Sequence, residues 1–169
     1  MVPTAFYLGK ELSSSSFDLA INCGIAGSFD HQVALGTVCR IVEDVFAELG
    51  AEDGDEFISI DNMGFGRNTY RETYAENSLK LPDLVNLTAI TVNKVHGNEL
   101  TIAKAIQLFH PTIESMEGAA FFYACEQCKV PALQIRSISN YVERRNKEKW
   151  DISLAIQNLN VVLINLLEE

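Results

Sequence analysis

The spacing of apolar residues changes several times along the chain, and each change marks a predicted element. Val2, Ala5, Phe6, Leu8, Gly9 and Leu12 recur at roughly helical intervals before the serine run at 13–16, which predicts an opening amphipathic helix. Residues 17–22 form a short apolar run ending at Gly24-Ile25-Ala26-Gly27, read as a buried strand that delivers a glycine-rich turn where backbone can approach a ligand. The β-branched stretch 36–42 predicts a second strand and 87–95 a third. His96-Gly97-Asn98 then leads into a helix with Leu100, Ala103, Ala105, Ile106 and Leu108 as its apolar positions, stopped by Pro111. A short strand at 112–115, a small-residue and aromatic helix at 117–129, and a last strand at 131–139 follow. Ile152, Leu154, Ala155, Ile156, Leu159, Val162, Leu163 and Leu166 define a closing amphipathic helix. Residues 48–83 carry acids, glycines and two tyrosines without clean periodicity and read as a long, partly mobile surface excursion.

Strands alternating with helices predict an α/β fold: a mixed, largely parallel central sheet flanked by helices, with binding loops at the carboxyl ends of the strands. The 169 residues fit one domain spanning 1–169, and 47% hydrophobic with 21% charged residues is the composition of a folded chain. A net charge of -10 argues against a nucleic-acid partner, since it repels a phosphate backbone. The basic run Arg144, Arg145, Lys147 and Lys149 sits among Glu143, Glu148 and Asp151 and reads as a solvated loop entering a helix. Cys23, Cys39, Cys125 and Cys128 read as free thiols, three of them in apolar runs; Cys125-x-x-Cys128 has no second pair, and His31, His96 and His110 lack ligand spacing, so no metal is expected. No signal pattern opens the chain and no uninterrupted apolar run reaches membrane-spanning length, so the expectation is no membrane partner and, by default, a cytoplasmic location.

Candidate chemistry follows three separate strands, at 24–28, at Ser115-Met116-Glu117-Gly118-Ala119-Ala120, and at Arg136-Ser137-Ile138-Ser139-Asn140. The first lacks the full dinucleotide fingerprint, which argues against a nicotinamide enzyme. Glu117 stands where an apolar strand meets an apolar helix, a costly place for a carboxylate without hydrogen-bond partners. Its plain reading is an acid favoured by the helix dipole, and its functional reading is a ligand for two sugar hydroxyls. Asn140 ends an apolar strand, either as a turn former or as an amide offering donor and acceptor at the mouth of a crevice.

In this order the three loops resemble the purine nucleosidase family that contains methylthioadenosine/S-adenosylhomocysteine nucleosidase and futalosine hydrolase, over nearly the whole chain. The resemblance is carried by Ile21-Asn22-Cys23-Gly24-Ile25-Ala26-Gly27-Ser28, by residues 114–120, and by residues 136–146 with Trp150. It implies a nucleoside phosphorylase-like fold and a purine nucleoside substrate. Glu117 is then implied to bind the ribose 2′- and 3′-hydroxyls, with Met116, beside Ser115, covering the sugar, Gly24 and Ile25 lining its side, and Leu100 in the purine-stacking stretch after Gly97. Adenine-specific members carry an aspartate, a proton donor to the leaving base, where this chain has Asn140. An amide cannot be a general acid but can hydrogen-bond the N7 and O6 side of a 6-oxopurine, which favours a hypoxanthine nucleoside. The run 139–143 with Arg145, Asn146 and Trp150 resembles the futalosine-cleaving members in particular. The implied reaction is hydrolysis of the N-glycosidic bond of futalosine, releasing hypoxanthine and dehypoxanthine futalosine in menaquinone biosynthesis, with no cofactor.

One departure concerns the start. The family begins with a strand and a water-activating glutamate, and nothing upstream of Met1 supplies them, so the expectation is an N-terminally truncated chain of weak activity. The rivals are a methylthioadenosine nucleosidase, a phosphorylase using Arg40 and Arg67 for phosphate, and a non-catalytic nucleoside-binding protein. Relatives form dimers or larger rings, and the apolar loops around Phe29 and Phe46 are compatible with a homo-oligomer.

Overall fold

The computed structural model describes residues 1–75 and 80–168. In chain order the elements are α1 (Val2–Ser14), β1 (Ala20–Ser28), β2 (Val38–Phe46), β3 (Gly50–Asp53), β4 (Glu56–Ser59), β5 (Thr69–Arg71), β6 (Val85–Thr91), α2 (Glu99–Phe109), β7 (Ile113–Ser115), α3 (Gly118–Cys128), β8 (Ala132–Tyr141) and α4 (Ile152–Glu168), with one 3₁₀ turn at Lys147–Lys149.

The main sheet runs β5-β2-β6-β7-β1-β8, and β8 pairs back onto β2, so that β2, β6, β7, β1 and β8 close into a ring. Pairing is parallel for β2–β6, β6–β7 and β1–β8, and antiparallel for β1–β7, β2–β5 and β2–β8. The sheet is therefore mixed and flanked by helices, as the alternation of elements predicts. β2 shares one edge between β8 in its first half and β5 in its second. β1 pairs with β8 along its whole length but with β7 only at Gly27 and Ser28, and among the described residues no strand covers Ala20 to Ala26 on that side.

Burial explains these elements. β8 is buried over its first eight positions, as expected of a strand covered on both faces. Leu133 and Ile135 meet Leu159 and Leu166 of α4 in one cluster, while Ile138 joins Phe121, Phe122, Cys125 and Leu12 in another. α1 lies against α3. The stretch Lys147–Glu168 is long and apolar enough by length and composition to cross a membrane, with a mean hydropathy of 1.3 and 17% of its most apolar window buried. Ala155, Leu159 and Leu166 are buried on its inner side, whereas Ile152, Ile156, Val161, Ile164 and Leu167 face outward.

Three expectations change. Gly24-Ile25-Ala26-Gly27 is not a turn but the interior of β1, because every one of these residues pairs with β8. The excursion at 48–83 contains a hairpin, β3 with β4, closed by a two-residue turn with Gly54 at φ 62°, and the short strand β5 on the edge of β2. Residues 76–79 of that excursion lie outside the described residues. Leu100 is not on an inward face: it is 82% exposed, and only Ala105 of α2 is buried. Phe29 and Phe46 are half-buried, edge-on to His96 and Tyr70 of their own chain.

Candidate functional site

An open cavity of about 920 Å³ lies along the uncovered edge of β1, between that strand, α1 and the start of α3; Gly24, Ile25, Glu117, Phe121 and Arg136 line it. Strand register assembles it, because Gly24 pairs with Arg136 and Gly27 with Glu114, which leads through Ser115 and Met116 to Glu117. Arg136 is 2% exposed. Its Nη1 donates to Asn22 Oδ1 at 2.8 Å and to the Ile135 carbonyl at 3.3 Å, while its Nε is buried without a partner. Burial pulls the guanidinium below its usual range, opposed by the carboxylates of Asp44 and Glu117.

Glu117 occupies the N-cap of α3 at φ -133°, ψ -20° but makes no side-chain cap. Among the described residues its carboxylate has no hydrogen bond, and the side chain is exposed, which corrects the expectation of a hydrogen-bonded carboxylate. The reason is the open cavity: solvent supplies the partners that an apolar junction lacks. Met116 is 38% exposed beside it, and Ser115 is buried with its Oγ unpartnered.

Asn140 sits apart from this cavity. Ala26 pairs with Ile138 and Gly27 with Asn140, so Ser139 is the extra residue of a bulge, which re-aims the following side chain. Asn140 Oδ1 lies 2.8 Å from Ser139 Oγ, a hydroxyl also 3.2 Å from the Ala26 carbonyl, and Asn140 Nδ2 donates to the Tyr141 carbonyl at 3.1 Å. The amide packs where a side chain on Gly27 would stand, at 3.0 Å from an ideal Cβ there. Along β1, Gly24 and Gly27 are about 10 Å apart. Leu100 opens α2, where Asn98 Oδ1 accepts from the Leu100 and Thr101 amides, and it lines a second cavity of about 370 Å³ with Gly97, Asn98, Glu99 and Arg144. Gly24, Ile25 and Glu117 thus share one cavity, Leu100 lines another, and Asn140 lies between β1 and the loop that reaches Arg144.

Arg136 appears in the third motif without a role, yet it is a buried cation on the wall of the Glu117 cavity. An arginine inside Pro131-Ala132-Leu133-Gln134-Ile135 and Ser137-Ile138 is the signal that could have found it. The pair of His96 and Glu114 was also missed. Its Nδ1 and Oε2 are 2.6 Å apart, and the His96 amide donates to Oε1 at 3.0 Å, tying the loop before α2 to the strand before Glu117. The arginines considered for phosphate are engaged elsewhere, Arg40 with Glu72 at 2.7 Å and Arg67 with Glu126. Cys39 and Cys125 are buried, and burial pushes both thiols up to about 12, whereas Cys23 is exposed on the cavity wall.

A futalosine hydrolase of Streptomyces coelicolor is 32% identical over 158 residues, covering 88% of this chain and 64% of that protein. The chain thus spans somewhat under two thirds of that relative's length. A futalosine hydrolase of Thermus thermophilus is 26% identical, covering 99% of the chain and 77% of that protein. The structure of futalosine hydrolase from Helicobacter pylori superposes with a TM-score of 0.83 at 14% identity, over 99% of this chain and 75% of that one, and a methylthioadenosine/S-adenosylhomocysteine nucleosidase from Colwellia psychrerythraea, solved with adenine, superposes at 0.77 and 22%, over 99% and 73%. The sequence profile of the phosphorylase superfamily matches residues 10–168, and the chain belongs to that superfamily.

Proposed function

We propose that the protein is a nucleosidase acting on a 6-oxopurine nucleoside, futalosine foremost. Water adds at the anomeric carbon as the bond from that carbon to the purine breaks. The proton released by the water ends on the departing base, giving hypoxanthine and dehypoxanthine futalosine. Glu117 binds the 2′- and 3′-hydroxyls, Met116 covers the sugar beside Ser115, and Gly24 and Ile25 line its side. Asn140 donates from Nδ2 to N7 of the leaving purine, exchanging its present bonds to Ser139 and Tyr141 for the ligand, and Leu100 flanks the base. The active form is a homo-oligomer.

The observation that carries this reading is the exposed Glu117 carboxylate, without a hydrogen-bond partner among the described residues, in a cavity it shares with Gly24 and Ile25. An anion held over open space beside a glycine-bearing strand suits a vicinal diol, which needs paired acceptors and close backbone approach. Superfamily membership and the names of the sequence relatives support the reaction class, and the engaged Arg40 and Arg67 favour water over phosphate as nucleophile.

The test is chromatographic identification of the base released from futalosine, inosine and methylthioadenosine, with and without phosphate. Hypoxanthine from futalosine at a phosphate-independent rate is expected. Adenine from methylthioadenosine in preference to hypoxanthine from futalosine overturns the assignment of Asn140. A strict requirement for phosphate overturns hydrolysis.

A further inference from the structure

Glu117 stands at an N-cap yet caps nothing, so the first-turn amides of α3 need other acceptors. The Ala119 amide donates to Thr91 Oγ1 at 2.7 Å. That hydroxyl in turn donates a hydrogen bond to Asp44 Oδ1 at 2.7 Å, and Asp44 Oδ2 accepts from Gln134 Nε2 at 2.9 Å. Thr91, Asp44 and Gln134 are each 0% exposed. Contact with the helix is close: a Cβ on Gly118 collides with Asp44 Oδ2 and comes within 2.5 Å of both polar atoms of the Gln134 amide. Strands β2, β6 and β8 therefore each send a polar group under the positive end of one helix.

We propose that Thr91 and Asp44 are positioning residues for Glu117: they cap α3 from the sheet, in place of the N-cap side chain, and so leave the Glu117 carboxylate free for the ribose hydroxyls. Without the Thr91 hydroxyl, the Ala119 amide loses its acceptor, and the Glu117 side chain, at the N-cap of the same helix, is placed to supply one. A capping carboxylate is lost to the ligand. Asp44 fixes the direction of the Thr91 proton, so that the oxygen lone pair meets Ala119. This inference rests on the reading of Glu117 as the sugar ligand.

The experiment compares binding of inosine and 2′-deoxyinosine by calorimetry, together with amide hydrogen exchange at Ala119. The parent protein is expected to prefer the ribonucleoside by about tenfold or more, the worth of a hydrogen bond to a charged group. In Thr91→Val and Asp44→Ala the preference falls toward unity. It persists in Thr91→Ser and Asp44→Asn, which keep a hydroxyl and an acceptor. A merely structural role moves stability in all four variants but leaves the preference in place, and a Thr91→Val protein with full preference overturns the proposal while the role of Glu117 stands. Glu117→Ala supplies a check that survives any misfolding of the Thr91 and Asp44 variants. It abolishes the preference but leaves Ala119 protection unchanged, because Thr91 is the cap, and faster exchange at Ala119 in Glu117→Ala overturns the proposal. A parent protein with no ribose preference overturns the reading of Glu117, and this inference with it.

Discussion

Replacing Asp44 by asparagine should stabilise the protein at neutral pH and leave it unchanged in acid. Asp44 is fully buried, and loss of hydration pushes its carboxyl up to about 6 from the ordinary 3.8, against the pull of hydrogen bonds from Gln134 and Thr91 and the charge of Arg136. Between those two values the folded protein holds a proton that the unfolded chain has released. Stability therefore falls as pH rises through the window, and the whole cost is carried above it. A shift of about two units corresponds to about 3 kcal/mol. Asparagine is neutral throughout and keeps the hydrogen-bond count. Its Oδ1 still accepts from Thr91, and a flip of the Gln134 amide lets Gln134 Oε1, now buried without a partner, accept from the new Nδ2. Asp44→Asn should gain about 1–3 kcal/mol at pH 8, or several degrees in Tm. The gain should shrink through pH 6 and vanish near pH 4. Urea denaturation of both proteins at each pH measures this. An asparagine variant that is less stable by the same amount at pH 4 and pH 8 refutes the reasoning, because the hydrogen-bond geometry of the carboxylate, not its charge, then dominates.

Asn140→Ala should lower hypoxanthine release by roughly two to three orders of magnitude, since a placed donor to a leaving group is worth ~3 kcal/mol; steady-state kinetics on futalosine decides it, and near-normal turnover removes Asn140 from the mechanism. Gly27→Ala puts a methyl group 3.0 Å from Asn140 Nδ2 and 3.1 Å from Val142 Cγ2, so it should impair purine release by about tenfold or more at a modest loss of stability, on the order of 1 kcal/mol. Equal kinetics for Gly27→Ala and its parent separate Asn140 placement from catalysis. Cys23 should react with an aromatic disulfide reagent in the folded protein, whereas Cys39 and Cys125, buried and pushed up to about 12, should react only on unfolding; mass mapping of the labelled thiols checks this.

The elements whose sequence pattern is local were legible. The helical spacing up to Leu12 and the β-branched run around Ile41 each report one side chain's surroundings, and both residues are buried. Leu100 misled because it occupies the first turn of α2, where a helical pattern extends beyond the part of the helix that meets the sheet. The hairpin at Gly50–Ser59 carried its signal in Gly54-Asp55, the two turn residues between the paired Asp53 and Glu56, but strands of four residues have too little alternation to read. Glu117 and Asn140 stood out because polar residues at element ends are visible in one dimension. The bulge at Ser139, which turns Asn140 against Gly27, was not, since it depends on the register of β1 against β8.

What the linear pattern hides most completely is a glycine whose missing side chain makes room for another strand's polar group. In Gly24-Ile25-Ala26-Gly27 the glycines suggest a turn, yet the chain there is extended, and Gly27 is needed because the Asn140 amide fills the space of its Cβ. Gly118 begins α3 for the same kind of reason, with Asp44 and Gln134 in that position from β2 and β8. The partners are 113 residues apart in the first case and 74 and 16 in the second by their numbers in the chain. Each glycine therefore marks a place where the ring of strands presses a polar group onto backbone. The two residues set by these contacts are Asn140 and, one step before Gly118, Glu117. Substitution of either glycine should thus disturb ligand recognition more than its burial alone suggests, because the displaced atoms belong to the candidate site or to its support.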